Sequence, residues 1–329
     1  MQFQELGSDA ARQYLDAESV FSALEAARKD AAQIRGSMRW KTVNGKDYLI
    51  RVTPRGAQTG LGARDAATEA ILADFSKRKS LTTERVRQLE EALERHTRMN
   101  RALRVGRAPN VLIDVLSAID GAGLSAHFRV VGTHALYAYE TAAGVRIMPP
   151  DALATQDVDL LWDVRKRVQF VAQMNRHGFS MLGLLQRVDP TFKIRPDQKY
   201  TAVNGSGFEV DILRRPALAN KDPHPLKITE VDDDFWVVQA NRADDLQNAR
   251  RFSAVVVGLN GAMARMETID PGEFVRFKRW MADLPDREPL KKRRDALQAA
   301  LVEQLVDQYL PNLRATNAVP AEAPSKPRG

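Results

Sequence analysis

The chain has 329 residues, a mass of 36.8 kDa and no cysteine, which excludes a disulfide framework, a thiolate metal site and a cysteine nucleophile. Hydrophobic residues make up 44% of the sequence and charged residues 28%, so a disordered chain, a collagen-like repeat and a bare coiled coil are also excluded. Forty-nine Lys and Arg against 42 Asp and Glu give a net charge of +7, which favours nucleic acids, nucleotides and other anions as partners.

Features of membrane or secreted proteins are missing from the sequence. No apolar run approaches the ~18–20 residues that cross a bilayer, and the first residues lack the basic-then-apolar build of a signal peptide. We therefore expect a soluble, cytoplasmic protein with no membrane partner. The predicted divisions of the chain are an N-terminal helical and hairpin accessory region at 1–105, a core at 106–240, a C-terminal hairpin and helical region at 241–313, and a disordered tail at 314–329.

The first third of the chain is predicted to hold helices around a hairpin. Asn44-Gly45 lies between two β-rich runs, which is typical of a tight hairpin turn. A Gly- and Arg-rich loop is expected next, over 55–64. The predicted helices cover 8–35, 65–79 and 83–105.

The remainder predicts a helix at 109–120 and then alternating strands and helices. A second hairpin turns at Asn260-Gly261. Asp270 before Pro271 indicates a helix start, because an acidic cap followed by proline suits the first turn. The remaining predicted strands are 127–131, 157–162, 200–203 and 208–213, with a last helix at 289–310.

The first motif with chemical content is an apolar strand that ends at Gly132 and leads into a helix from Thr133. Free N–H groups at a helix start attract anions. Gly132 would let a phosphate approach the backbone, and the Thr133 hydroxyl adds a donor. The same junction is common in proteins without an anion site, so a purely structural interpretation stays open.

The second motif is a pair of acids, Asp157 and Asp159, two residues apart on a predicted strand and therefore on one face of it. Two neighbouring carboxylates in a strand rich in Leu and Trp are unfavourable unless a cation compensates them. Carboxylate and phosphate oxygens are the ligands that Mg²⁺ prefers, so the pair predicts a Mg²⁺ site, with Mn²⁺ as the alternative metal. The other interpretation is a strand end with two solvated aspartates.

A further acid, Asp211, lies in the apolar run Val210-Asp211-Ile212. A neighbouring strand would bring Asp211 near the acidic pair, where a third carboxylate completes a two-metal site and accepts a proton from an attacking hydroxyl. Glu209 shares its face and is the second candidate for this role. An edge strand with outward charges is the structural alternative.

Two charged residues of the C-terminal helices are also candidates: Lys278 for nucleotide binding, and Asp295 as a weaker one. Lys278 shares a face with the apolar residues Phe274 and Phe277, so its ammonium either extends to solvent or reaches nucleotide phosphates. Asp295 follows a run of four basic residues that fits either a solvated face or an RNA contact.

Taken in order, these motifs resemble those of the nucleotidyltransferase superfamily of DNA polymerase β. A bacterial group of nucleotidyltransferase-fold proteins is similar in Val-Gly-Thr-x-Ala-Leu-Tyr-Ala-Tyr-Glu at 131–140, Ala-Thr-x-Asp-Val-Asp-Leu-Leu at 154–161 and Glu-Val-Asp-Ile-Leu at 209–213. Abortive-infection nucleotidyltransferase toxins, which also carry a lysine in a late helix, are more distantly similar. The resemblance implies an α/β (α+β) fold, with a small mixed-sheet core and helical N-terminal and C-terminal regions.

The resemblance also implies roles for individual residues. Gly132 and Thr133 would hold the triphosphate, Asp157 and Asp159 would bind Mg²⁺, and Asp211 would be the third acid. The step of 25 residues from Gly132 to Asp157 is long for the superfamily, which predicts an insertion beside the site.

The implied reaction is transfer of a nucleoside monophosphate from a nucleoside triphosphate to a hydroxyl acceptor, with release of pyrophosphate. The basic charge and the accessory region favour RNA, such as tRNA, as the acceptor, and a toxin with an antitoxin partner is one form of this function. Two alternatives stay open: a small-molecule or protein acceptor, and a non-catalytic nucleotide- or RNA-binding module. The presence of all three carboxylates argues against the last of these.

Overall fold

The computed structural model of the protein describes residues 2–218 and 223–313. The chain divides into two compact units, one comprising Met1–Ser8 with Gly106–Gly329 and the other Asp9–Val105. The tail predicted at 314–329 lies outside the described residues, and the further division at residue 240 stays a prediction.

Helices and strands are interspersed along the described chain. The helices are α1 (Ser8–Gln33), α2 (Ala66–Ala102), α3 (Asn110–Gly121), α4 (Ala135–Ala143), α5 (Arg167–His177), α6 (Met181–Val188), α7 (Ala243–Asn248), α8 (Pro271–Asp283) and α9 (Pro289–Tyr309). The strands are β1 (Phe3–Glu5), β2 (Ser37–Val43), β3 (Lys46–Val52), β4 (Gln58–Ala63), β5 (Phe128–Val131), β6 (Val145–Ile147), β7 (Asp157–Trp162), β8 (Lys193–Ile194), β9 (Thr201–Val203), β10 (Glu209–Arg214), β11 (Val238–Gln239), β12 (Arg251–Val257) and β13 (Met263–Ile269). No helix within 2–218 or 223–313 combines the length and the apolar character needed to cross a membrane.

In the unit Asp9–Val105, a three-stranded antiparallel sheet in the order β2-β3-β4 accompanies α1 and α2. The predicted hairpin at Asn44-Gly45 is confirmed. Two other expectations for this unit are wrong. The Gly- and Arg-rich segment is partly a strand, β4, which pairs with β3. The two helices expected around residue 81 are the single helix α2, because no Gly or Pro interrupts them and the Thr82 hydroxyl bonds back to the carbonyls of Arg78 and Lys79.

The larger unit is built on a mixed sheet in the order β5-β7-β10-β9-β8, with β11 also paired to β10. β7 and β10 are parallel, and β5 and β9 are antiparallel to them. The predicted strands 127–131, 157–162, 200–203 and 208–213 are therefore confirmed, within one residue at their ends, as β5, β7, β9 and β10. The α/β fold class is confirmed as well.

Side chains of β7 alternate between two separate hydrophobic clusters. Val158 and Leu160 join a cluster with α3, α5 and α6, whereas Leu161 joins a cluster with α4, α8 and α9. Because a strand directs alternate residues to opposite faces, Asp157 and Asp159 lie on the face of Leu161. The fold thus directs the acidic pair to the side of the sheet that carries α4, α8 and α9.

The C-terminal elements follow the sequence closely. β12 and β13 form the predicted hairpin around Asn260-Gly261. The carboxylate of Asp270 accepts a hydrogen bond from the Gly272 N–H at 2.8 Å, so it caps α8 as expected.

Candidate functional site

Strand register brings the predicted acids together. Asp159 on β7 is directly opposite Asp211 on β10 and, on its other side, opposite Val131 on β5. Gly132 follows Val131, so the glycine, the acidic pair and the third acid meet at one end of three neighbouring strands.

Carboxylate oxygens of Asp157, Asp159 and Asp211 lie within 4.8 Å of one another, close enough to share a metal ion. Asp157 accepts a hydrogen bond from the hydroxyl of Thr155. Asp211 accepts one from the Thr201 hydroxyl at 2.6 Å. Asp159 accepts none from the part of the chain that the structure describes, so its oxygens keep their lone pairs for a cation.

Burial and mutual repulsion make the cluster electrostatically unfavourable without a cation. Burial, together with the charges of Asp157 and Asp211, raises the pKa of Asp159 to about 7. Burial raises the pKa of Asp211 to about 6, against the opposing effect of its hydrogen bond from Thr201. The cluster offers only oxygen ligands, and its three carboxylates are half-buried and incompletely hydrogen-bonded. These properties fit a hard divalent cation such as Mg²⁺.

Gly132 is required where it stands for two reasons. Its φ of +73° is in the region that disfavours side chains, and a Cβ there would lie 2.2 Å from Oδ2 of Asp159. The strand end can therefore approach the carboxylate only through a glycine. Among the described residues, the N–H groups of Thr133 and His134 form no hydrogen bond, so both are available to an anion at the start of α4.

The Thr133 hydroxyl has a fixed neighbour that the sequence did not single out. The side-chain amide nitrogen of Gln298, on α9, donates to the Ala152 carbonyl at 2.6 Å and to Thr133 Oγ1 at 3.0 Å. A carbonyl only accepts, so the nitrogen must face Ala152, and the Thr133 oxygen is then an acceptor. The hydroxyl proton of Thr133 is left free to donate elsewhere.

Lys278 and Asp295 form a buried ion pair. The Lys278 ammonium donates to Oδ1 of Asp295 at 2.8 Å, and Arg287 reaches Oδ2 of the same carboxylate at 3.0 Å. Burial lowers the pKa of Lys278, while the charges of Asp295 and Asp159 act in the opposite direction. The charges of Lys278 and Arg287 in turn lower the pKa of Asp159. The ion pair between Lys278 and Asp295 is therefore within electrostatic range of the acidic cluster.

Glu209, the second candidate for the third acid, lies opposite Asp157 and is paired with Arg195 at 2.8 Å. The metal-competent cluster among the described residues contains Asp211 and not Glu209. Sequence reasoning missed Gln298, Arg287 and Thr201. Nothing in the spacing of these three residues indicates what they contact.

Comparison with known proteins gives one finding. The sequence model of a family described as "Nucleotidyltransferase" matches residues 110–321, nearly two thirds of the chain. No curated protein and no solved structure matches. The matched segment includes β5, β7 and β10 with their carboxylates, and also α8 and α9.

Proposed function

Since the chain belongs to the nucleotidyltransferase family, we propose that it transfers a nucleoside monophosphate from a nucleoside triphosphate to a hydroxyl group of an RNA acceptor, with Mg²⁺ as the cofactor. The observation that carries the proposal is the acidic cluster, whose carboxylates lie within 4.8 Å of one another. Such a cluster costs folding energy unless a cation compensates it, so a structural role alone explains it poorly.

Atoms and charge balance in this reaction as follows. The oxygen of the acceptor hydroxyl forms a bond to the α-phosphorus, the bond from that phosphorus to the bridging oxygen breaks, and pyrophosphate leaves. The hydroxyl proton passes to Oδ2 of Asp211, because Oδ1 already accepts from Thr201. In the metal-free chain burial raises the pKa of Asp211 to about 6, so this carboxylate is a stronger base than an ordinary aspartate.

Substrate positioning falls to the start of α4 and to the acidic cluster. The free N–H groups of Thr133 and His134 and the Thr133 hydroxyl would donate to phosphate oxygens. Asp157, Asp159 and Asp211 would hold Mg²⁺, which supplies neutralisation of the negative charge on the triphosphate. Because these donors and carboxylates lie on one end of a packed sheet, they need little rearrangement when substrate binds.

RNA is the proposed acceptor because the net charge is +7 and RNA carries both hydroxyl groups and a polyanionic backbone. The alternatives are a small-molecule or protein hydroxyl and a binding module without transfer activity. The antitoxin partner stays a prediction of the sequence.

A transfer assay tests the proposal. Purified protein, Mg²⁺ and each of the four α-labelled nucleoside triphosphates are mixed with total tRNA, with cell extract or with no acceptor. The comparison variants are Asp159→Asn and Asp286→Asn, the latter an exposed acid outside the cluster. We expect label on RNA with the wild type and with Asp286→Asn, and none with Asp159→Asn.

Other outcomes contradict parts of the proposal. Label on protein or on a small product would overturn RNA as the acceptor. Wild-type rates in Asp159→Asn would overturn the role of the acidic cluster. Binding of Mg²⁺-nucleotide without transfer to any acceptor would favour the binding module.

A further inference from the structure

The positive charge of the chain is concentrated in the unit Asp9–Val105. This unit contains 19 Lys and Arg and 13 Asp and Glu, a net charge of +6 out of the +7 of the whole chain. The excess is denser still over residues 37–64, which hold the sheet β2-β3-β4 with six basic residues and one acid. The family match begins at residue 110, so it assigns no role to this charge.

One face of this sheet carries cations and an aromatic ring but no carboxylate. Lys41 is directly opposite Tyr48, and Arg39 is directly opposite Ile50, so these four residues share a face. Lys46, two residues before Tyr48 on β3, extends the same face. The sole acid of the sheet, Asp47, lies on the opposite face, where it accepts from Thr42 at 2.6 Å and pairs with Arg64.

The basic side chains and the tyrosine of this face are available to a ligand, whereas Ile50 is buried. Arg39, Lys41, Lys46 and Tyr48 are exposed, the tyrosine to 36%. Within residues 2–218 and 223–313, the three cations form no hydrogen bond or ion pair. Unpaired cations held on neighbouring strands create a field that favours a polyanion.

We propose that this face, defined by Arg39, Lys41, Lys46 and Tyr48, binds single-stranded RNA. Cations track a phosphate backbone while an exposed aromatic ring accepts a base by stacking, which is the combination by which proteins hold single strands without sequence preference. An anionic membrane would be attracted by the same charge, so binding to anionic vesicles is one of the outcomes tested below. The claim that this face docks the RNA acceptor rests on the proposed function. The claim that it binds RNA does not.

Fluorescence anisotropy with a labelled oligouridylate tests the proposal on the full chain, without nucleotide. The test variant is Arg39→Ala/Lys41→Ala. The matched control is Arg85→Ala/Arg95→Ala, which removes two exposed α2 arginines that have no partner among the described residues. Each lost phosphate contact lowers the slope of log K against log salt by about 0.7, so the sheet variant should lose about 1.4 in slope and about 10- to 30-fold in affinity near 0.1 M salt.

Replacement of Tyr48 separates stacking from charge. Tyr48→Leu should weaken binding about fivefold or more, whereas Tyr48→Phe, which keeps the ring, should bind as the wild type does. Thermal melting confirms that every variant is folded. All measurements are repeated on Asp159→Asn protein, so that loss of transfer activity and loss of RNA binding are read independently.

Several results would overturn the proposal. Equal losses in the sheet and control variants would mean that binding is diffuse over the unit. Unchanged binding in the sheet variant would place RNA elsewhere, and tighter capture by oligodeoxyuridylate or by anionic vesicles would overturn RNA as the occupant. If transfer to RNA fails while the sheet variant still loses RNA binding, the binding surface stands and only its link to catalysis falls.

Discussion

Replacement of Asp159 by asparagine should stabilise the metal-free protein at pH 8. The pKa of Asp159 is about 7 in the folded chain, against an ordinary value of 3.8. A difference of about 3 pH units corresponds to at most about 4 kcal/mol at ~1.4 kcal/mol per unit. The Asp159 side chain is half-buried, and Asp157 and Asp211 can take up protons instead of it. We therefore expect the substitution to raise the free energy of unfolding by about 1–2 kcal/mol. That is a rise of roughly 2–8 °C in the melting temperature of a unit of this size.

The sign of the pH dependence follows from proton binding. Below pH ~4 the Asp159 carboxyl is protonated in both folded and unfolded chains, so it does not lower the free energy of unfolding. Between pH ~4 and about 7 the folded chain retains a proton that the unfolded chain has lost, and stability falls as pH rises. Above pH about 7 the carboxylate is charged in both states, and the loss of stability reaches its full size. Asp159→Asn should therefore melt close to the wild type near pH 4 and above it at pH 8.

Differential scanning fluorimetry between pH 4 and 8, in EDTA and then in excess Mg²⁺, measures this effect. Mg²⁺ should raise the melting temperature of the wild type and of the Asp286→Asn control, because a ligand that binds the folded state stabilises it. The addition of Mg²⁺ should leave the melting temperature of Asp159→Asn nearly unchanged. A melting temperature for Asp159→Asn below that of the wild type at pH 8 in EDTA would refute the reasoning, as would a difference that is independent of pH.

Two further substitutions test the positioning of substrate. Gly132→Ala should abolish transfer and cost about 1–2 kcal/mol, since its Cβ would lie 2.2 Å from a cluster carboxylate oxygen at a φ of +73°; an active, fully stable variant, judged by urea unfolding and the transfer assay, would contradict this. Gln298→Leu removes the donor to Thr133 and to the Ala152 carbonyl. It should raise KM for the nucleotide about 5- to 10-fold with a smaller change in kcat, as expected for about 1–1.5 kcal/mol of lost hydrogen bonding, and an unchanged KM would remove Gln298 from the positioning role.

The central sheet and its acids could be predicted from sequence because strand periodicity is local. Val158 and Leu160 alternate with Asp157 and Asp159, so the side of the strand that carries the acids is fixed by the hydrophobic residues between them. The adjacency of Asp211 needed one more assumption, that β10 pairs with β7, and the register confirms it.

Contacts across long stretches of sequence could not be predicted in this way. Thr133 and Gln298 are 165 residues apart, and no local pattern links them. Lys278 was expected either to extend to solvent or to reach phosphates, because its spacing reveals the apolar face of α8 but not the carboxylate on α9. β4 was missed for a related reason: Gly60 and Gly62 have weak strand preference, and pairing with β3 overrides it.

The ion pair between Lys278 and Asp295 provides a test of whether α8 and α9 serve the site or only the core. Buried ion pairs are often no more stabilising than apolar residues of similar volume, so stability alone is a weak reason to keep one. This pair lies within electrostatic range of Asp159, and the positive charge of Lys278 lowers the pKa of that carboxylate. The role of the ion pair in the site would be electrostatic: the charge of Lys278 would help to keep the acidic cluster ionised.

Lys278→Met/Asp295→Leu removes both charges and approximates the volume they occupy. We expect a folded protein within about 2 kcal/mol of the wild type by urea unfolding. Lys278 is among the charges that shift the pKa of Asp159 most and Asp295 is not, so loss of the pair should raise the pH at which the Asp159 carboxylate ionises. Arg287, which keeps its charge, limits that rise. The acidic limb of the pH–rate profile for transfer should therefore move to higher pH, and apparent Mg²⁺ affinity at pH 7 should fall. A stable double variant with an unshifted profile would show that the pair serves packing alone.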